Sequence, residues 1–373
     1  MTVLQLGPVP PPHGGVQTNL IAIREHLRRY GVRAPVINLT RHRREPVDDV
    51  FYPRTAAEVV KLLITTPADL LHLHIGGRLP ARLLALCLVC TLIPRRRVVL
   101  TFHSGGYPSE GGARNARPRS IRGRILQRLD AVIAVNQDLA ALFRALGVAP
   151  SRVRVIVPYA PIALPADVVL PEAIRQFKAS HRPLLTVVGG LEKEYDLPTP
   201  IEAIDSIRQE FPEAGLLIIG SGSIESEIRG FVTRSRNSAH ILMCGDVPHA
   251  QTLKTVAESD VFLRTTLYDG DSISVREALH AGTPVIATDN RMRPPGVHLV
   301  PVSDPAALAA AVARVVRQPF TQGQLDAASN APLEQVLDLY AELLGRDVRG
   351  EMAERMAGGR AGNPIRIANR VKR

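Results

Sequence analysis

Short apolar runs rich in valine, isoleucine and leucine recur along this chain, each separated from the next by one helix-length segment, and that rhythm restricts it to one class of fold. In the first half the strand candidates are 3–6, 34–38, 70–74, 98–103, 131–135 and 153–157, with helical patterns over 17–30, 56–64, 80–93 and 137–146 between them. Strands divided by single helices form crossover units rather than hairpins, so the spacing predicts a parallel sheet covered on both faces. After a proline-rich stretch over 158–171 the pattern restarts, with strands at 184–188, 215–219, 241–244, 261–264 and 284–287 and helices at 198–211, 224–235, 250–259 and 272–281. The 373 residues are about two to three times the usual domain size. The expected architecture is α/β, two doubly wound Rossmann-like domains over 1–164 and 165–325, a helix over 326–345 returning toward the first domain, and a basic, disordered tail over 346–373. Such sheets bind ligands at the carboxyl ends of their strands, so two facing domains leave a cleft between them.

The longest apolar run, 83–93, is too short to span a bilayer and is flanked by Arg82 and by Arg95, Arg96 and Arg97, so it reads as a buried helix. The amino terminus, MTVLQLG, has no basic n-region and reads as a first strand, which sets the expectation of a cytoplasmic protein. Three cysteines are too few for a disulfide framework. Cys87 and Cys90 form a C-x-x-C, but it lies inside the apolar run with no second pair and no nearby histidine, so core packing is expected over redox or metal chemistry. His72 and His74 alternate on one strand and share a face, yet no third ligand is evident and no metal is expected.

Charge is divided unevenly. Residues 1–165 carry 23 Lys+Arg against 9 Asp+Glu, a net +14; residues 166–345 carry 15 against 23, a net −8; the last 28 carry 8 against 3, a net +5. Separate surfaces with separate partners follow, and the first half expects an anionic one: nucleic acid, an anionic membrane surface or a phosphorylated small molecule. Aromatics at 4% with no tryptophan leave few stacking platforms, which counts against single-stranded nucleic acid. The segment 114–128, RNARPRSIRGRILQR, is either a solvated helix or a surface for an anionic lipid or lipid-diphosphate acceptor.

The stretch 267–289, LYDGDSISVREALHAGTPVIATD, is the most informative. Gly270 and the Asp271-Ser272 pair suggest a helix starting near Ser272, with Asp269 in the entry loop and Glu277 on the helix. Ser272 or Asp271 is then the N-cap, and the free amides of Ile273, Ser274 and Val275 open a site for an anion, because unpaired N–H groups and the helix dipole both favour negative charge. Two carboxylates bracketing a diphosphate suit the hydroxyls of a nucleotide sugar. Gly282 and Pro284 end the helix and lead into a buried strand.

With Asp269 at the first acidic position and Glu277 at the second, this segment resembles the E-x7-E signature of the family-4 retaining glycosyltransferases, which have the two-domain GT-B fold. Gly14-Gly15 in PHGGVQTNL resembles that family's glycine-rich first loop, LLHLHIG over 70–76 its His-containing strand end, and VVLTFHSG over 98–105 the strand carrying its cleft histidine. Residues 130–136, LLTVVGGL over 184–191, LIIGSGS over 217–223 and ILMCGDV over 241–247 fall in the family's order, so the resemblance covers roughly residues 1–345. It implies that Asp269 holds sugar hydroxyls, Glu277 the ribose hydroxyls, the amides of Ser272–Ser274 the diphosphate, and the backbone of Gly245, Asp246 and Val247 the nucleobase edge. His103 sits near the reacting carbon, and the leaving diphosphate itself takes the acceptor proton. No cofactor and no metal are implied; the partners are a nucleotide diphosphate sugar, a lipid-linked or glycan acceptor and an anionic membrane contacted peripherally, not nucleic acid.

Departures from that pattern fall on charge. The family places an arginine directly before the leucine of its first donor-domain loop and a lysine a few residues on; here Gly190 occupies the arginine position and Glu194 or Tyr195 falls near the lysine position. Lys193 lies close but out of register, leaving Arg264, at the end of the preceding strand, as the alternative cation and Arg276 as a weaker one. Two other readings stay open: a nucleotide-sugar epimerase of the same fold, and a non-catalytic GT-B scaffold whose basic half binds anionic membrane or nucleic acid.

Overall fold

A computed structural model describes residues 1–10, 14–40, 48–104, 107, 117–158, 167–269, 272–318, 331–346 and 350. Two all-parallel sheets carry the architecture. In the first, β1 (Val3–Gly7), β2 (Val36–Asn38), β3 (Val50–Phe51), β4 (Leu70–Ile75), β5 (Arg97–Phe102), β6 (Ala131–Ala134) and β7 (Val153–Val155) lie in the order β3-β2-β1-β4-β5-β6-β7. In the second, β8 (Leu184–Val188), β9 (Gly215–Ile219), β10 (Ile241–Gly245), β11 (Val261–Arg264), β12 (Val285–Thr288) and β13 (Val297–Val300) lie in the order β10-β9-β8-β11-β12-β13. Both are doubly wound sheets whose strand order reverses about the first strand, between β1 and β4 and between β8 and β11, and those two reversals are where loops diverge and leave room for a ligand.

The strands form where they do because both faces are covered: every residue of β1, β4, β6, β9 and β12 is buried. The covering helices of the first lobe are α1 (Gly15–Arg29), α2 (Ala56–Thr65), α3 (Ala81–Leu92), α4 (Ile121–Leu126) and α5 (Gln137–Ala145). Those after it are α6 (Glu172–Ser180), α7 (Pro198–Glu210), α8 (Glu225–Arg234), α9 (His249–Ala257), α10 (Ile273–His280), α11 (Pro305–Arg317) and α12 (Ala331–Leu344). The apolar run expected to be a buried helix is α3, which buries only the stripe Leu84, Cys87 and Cys90 and leaves Leu92 61% exposed. Its two thiols pack among the leucines of the first core and are pushed up to about 12 by burial, which suits packing rather than nucleophilic chemistry.

The chain returns at its end. Leu333, Val336, Leu337 and Tyr340 of α12 join Val3, Ile23, Leu27 and Val99 in one core on the first sheet. The Tyr340 hydroxyl meets His72 Nδ1 at 2.5 Å, and Glu334 meets the hydroxyl of Tyr30, the residue that ends α1, at 3.3 Å. The domain junction near 165 and nearly all of the tail from 346 onward lie outside the described residues.

Candidate functional site

Loops from both reversal points line one cleft of about 290 Å³. From the first lobe come Gly14 and Gly15 after β1, Gly76 and Gly77 after β4, and His103 directly after β5. The second lobe supplies Gly189, Gly190 and Tyr195 after β8, Asp246 and Val247 after β10, Arg264 at the end of β11, then Asp269, Ser272 to Ser274 and Glu277.

Two helices from opposite lobes aim their amino ends into this cleft. For α10 the N-cap is Ser272, whose side chain makes no capping bond and instead meets the Ser274 hydroxyl at 3.1 Å. The first backbone donor of the helix with a partner is Arg276, bonded to the Ser272 carbonyl, so the amides of Ile273, Ser274 and Val275 have no partner among the described residues. On α1 the N-cap is Gly14, extended and without a side chain to accept a bond. Elsewhere Thr55, Asn136 and Asp304 cap α2, α5 and α11 with their own oxygens. Other helices also lack such caps; what distinguishes α1 and α10 is that their open ends face each other. A Cβ built on Gly15 would lie 3.5 Å from Ile273 Cδ1. Two positive dipole ends in one small volume, with the three α10 amides that have no partner among the described residues, favour an anion strongly.

The acids lie at the same wall. Glu277 sits four residues into α10, and its Oε1 meets His249 Nε2 at 2.8 Å. Asp269 is more constrained than the sequence suggests: its Oδ2 accepts from Arg264 Nε at 2.9 Å and from Arg293 Nη1 at 3.0 Å. Burial would raise this carboxyl, but the two guanidiniums outweigh it and hold the carboxyl below its ordinary value. Burial likewise opposes the charge of Arg264, and Asp269 and Tyr195 overcome it, so Arg264 is held more firmly protonated than usual. Asp269 thus lies in the cleft wall paired with two guanidiniums.

His103 lines the cleft, while its Nε2 is sealed from solvent without a partner among the described residues. Burial pulls its imidazole down to about 3, so at neutral pH it presents an uncharged ring to the site. His74 stacks beside it, centroids 6.0 Å apart, with Nε2 3.1 Å from Gln5 Oε1, and His72 lies beyond, between Tyr340 and Thr101 Oγ1. Both ring nitrogens of His72 are thus matched inside the protein, whereas His74 Nδ1 is buried without a hydrogen-bond partner among the described residues.

Two assignments move. Lys193 is exposed at the start of the 3-10 turn Lys193–Tyr195 and does not reach the cleft, because that turn directs Tyr195 inward in its place. Gly245 does not itself line the cleft; a register shift in β10 falls at this residue, and its carbonyl accepts from the amide of the lining residue Gly220 at 2.8 Å. Gly270 and Asp271 lie outside the described residues. In the G-x-G after β9, Gly222 serves packing, since a Cβ there would lie 2.3 Å from the Leu191 carbonyl oxygen.

Two family models match this chain one after the other: Glycosyltransferase Family 4 over residues 13–158 and Glycosyl transferases group 1 over residues 182–318. The chain belongs to the family-4 glycosyltransferases. Over 329 residues it is 26% identical to a phosphatidyl-myo-inositol mannosyltransferase of Mycobacterium tuberculosis, covering 81% of each chain. It is 27% identical over 161 residues to the amylovoran biosynthesis glycosyltransferase AmsK of Erwinia amylovora, covering 40% of this chain and 38% of that one. Among solved structures, Anabaena HepE in complex with UDP-glucose superposes with a TM-score of 0.65 at 17% identity, covering 96% of this chain and all of that one. Sucrose-phosphate synthase from Thermosynechococcus elongatus gives 0.68 at 19% identity, covering 92% of this chain and all of that one. These likenesses show the GT-B fold.

For this family-4 glycosyltransferase the sequence reading missed Arg293 and His249. Arg293 follows the end of β12 by five residues, a position at the carboxyl edge of the sheet, and its side chain is only 2% exposed. His249 is the first residue of α9, directly after the wall residue Val247 and Pro248. Both positions follow from strand ends already located, so counting onward from each strand end would have found them.

Proposed function

We propose that this glycosyltransferase moves a sugar from a nucleotide diphosphate sugar to a hydroxyl of a lipid-linked or polysaccharide acceptor in cell-envelope or exopolysaccharide synthesis, with retention of anomeric configuration. The observation that carries the reading is the pair of uncapped helix ends, one from each lobe, opening on a single cleft beside Glu277. In this reading the second lobe holds the donor: the α10 amides take the diphosphate, Glu277 the ribose hydroxyls, and Asp246 with Val247 the nucleobase edge. The first lobe takes the acceptor, and neutral His103 accepts a hydrogen bond from a sugar hydroxyl as positive charge develops at the anomeric carbon. The acceptor proton passes to the leaving diphosphate, so no protein base is required. Positive charge on the donor comes from helix amides and a guanidinium rather than from a metal ion.

Among the described residues no helix is long and apolar enough to cross a membrane. Peripheral contact at a cytoplasmic membrane face is favoured by the exposed side of α4 and the turn before it. There Arg117, Arg119 and Arg124 surround Ile121, which is 79% exposed. Lipidic character in the acceptor is supported by the mannosyltransferase relative, whose name places its acceptor on phosphatidylinositol.

Incubation with a panel of nucleotide sugars and anionic vesicles containing polyprenyl phosphate or phosphatidylinositol tests the reading. Transfer giving a product whose anomeric carbon, by NMR, keeps the donor's configuration is expected. Inversion would refute retention, and release of free sugar with no product would favour the epimerase reading.

A further inference from the structure

The loop after β8 supplies no cation to the cleft. Gly189 and Gly190 have no side chains to offer, and Lys193 is turned to solvent. The Tyr195 ring lies against this bare backbone so closely that a Cβ on Gly189 would fall 2.3 Å from its Cε1. The same ring carries Arg264, whose guanidinium carbon is 4.6 Å from the ring centroid. Arg264 spends Nε on Asp269 and Nη1 on the Val188 carbonyl at 3.1 Å. Its guanidinium also interacts with the Tyr195 hydroxyl, and its remaining nitrogen, Nη2, has no carboxylate or carbonyl partner among the described residues, although the side chain is only 9% exposed and lines the cleft. Asp269 is braced from behind by Arg293, itself fixed by the Thr288 carbonyl at 3.0 Å and the Thr266 hydroxyl at 2.8 Å.

We propose that Arg264 is the cation that binds the donor diphosphate and stabilises it as it leaves, with Tyr195, Asp269 and Arg293 as positioning residues that hold its open edge toward the cleft. This rests on the reading above, in which a nucleotide diphosphate sugar occupies the cleft. As the bond between the anomeric carbon and the diphosphate oxygen breaks, its electron pair stays on that oxygen, which accepts a hydrogen bond from Nη2. The acceptor oxygen forms the new bond to the carbon and gives its proton to the same leaving group. The charge that Gly190 omits is thus supplied from the neighbouring strand, and the missing side chains make room for the ring that carries it.

Calorimetric titration with nucleoside diphosphates and with the corresponding nucleosides tests this. Arg264→Met is expected to weaken diphosphate binding by about a hundredfold, the cost of one directed donor in a dry site, and to leave nucleoside binding unchanged. Tyr195→Leu should weaken the diphosphate selectively as well, whereas a purely structural ring would alter both ligands alike. A Cβ at Gly190 would sit 3.4 Å from Tyr195 Cε2, in ordinary contact, so Gly190→Arg can be added to Arg264→Met and should recover at least about tenfold of the loss. Should Arg264→Met fail to fold, Arg264→Lys keeps the charge, loses the fork, and is expected to bind the diphosphate about tenfold more weakly. Wild-type diphosphate affinity in Arg264→Met, or in Arg264→Lys where only that variant folds, would overturn the assignment while leaving the donor site intact. Failure of the wild-type protein to bind any nucleoside diphosphate would overturn the donor reading itself.

Discussion

Glu277→Ala is expected to lower turnover by more than about a hundredfold in a protein that remains folded. Glu277 stands on α10 one turn beyond the open amides, lines the cleft, and is 12% exposed, so its carboxylate is shielded enough for each hydrogen bond to count. Its one described partner, His249, is the first residue of α9 beside the neighbouring wall, which fixes the carboxylate without removing it from the cleft. Alanine at this helix position keeps helix propensity and opens no apolar cavity, so the loss should appear in steady-state kinetics rather than in the unfolding midpoint. Glu277→Gln keeps one acceptor oxygen and should lose less. A wild-type rate in Glu277→Ala would remove this residue from the donor site.

Acidification should destabilise the first lobe steeply. Burial is the main reason His72 is held down to about 3, with His103 nearby adding to it, and burial with His72 and His103 beside it holds His74 well below its ordinary value. In the unfolded chain each imidazole titrates near 6.5. Above that pH neither state is protonated and nothing is lost. Below it the unfolded chain takes up protons that the native imidazoles refuse, so stability falls as pH drops from about 6.5 toward 3, at about 1.4 kcal/mol per pH unit for each histidine. His72 and His74 are 0% and 1% exposed, so together they give about 3 kcal/mol per unit. His103, with one edge on the cleft, adds less. At pH 5 the two together cost about 4 kcal/mol, a large share of the about 5–15 kcal/mol that stabilises an ordinary domain. Urea midpoints between pH 7.5 and 4.5 should show this slope. His74→Gln should reduce it by about 1.4 kcal/mol per unit, and a midpoint independent of pH would contradict the burial of these rings.

The central strands were legible because strands covered on both faces write continuous apolar runs, and the start of β8, β9 and β11 can be read to the residue. Edges were not. β3 has two residues, and β13 exposes His298 and Leu299, so neither makes a run long enough to notice. Helix α10 was legible at both ends, since Gly270-Asp271-Ser272 and Gly282 with Pro284 are local chemistry. The site's wiring was not local. Arg293 reaches Asp269 across 24 residues and His249 reaches Glu277 across 28, contacts that depend on which loops the sheet brings together. Lys193 shows the converse error: nearness in sequence suggested a cation in the cleft, and a single 3-10 turn faces it outward and puts Tyr195 there instead.

Hydrogen exchange across α10 tests the central claim most directly. Adding a nucleoside diphosphate should slow exchange at the amides of Ile273, Ser274 and Val275, which have no partner among the described residues, and adding the nucleoside alone should leave them fast. Diphosphate binding that protects other segments and leaves these three amides unchanged would contradict the account.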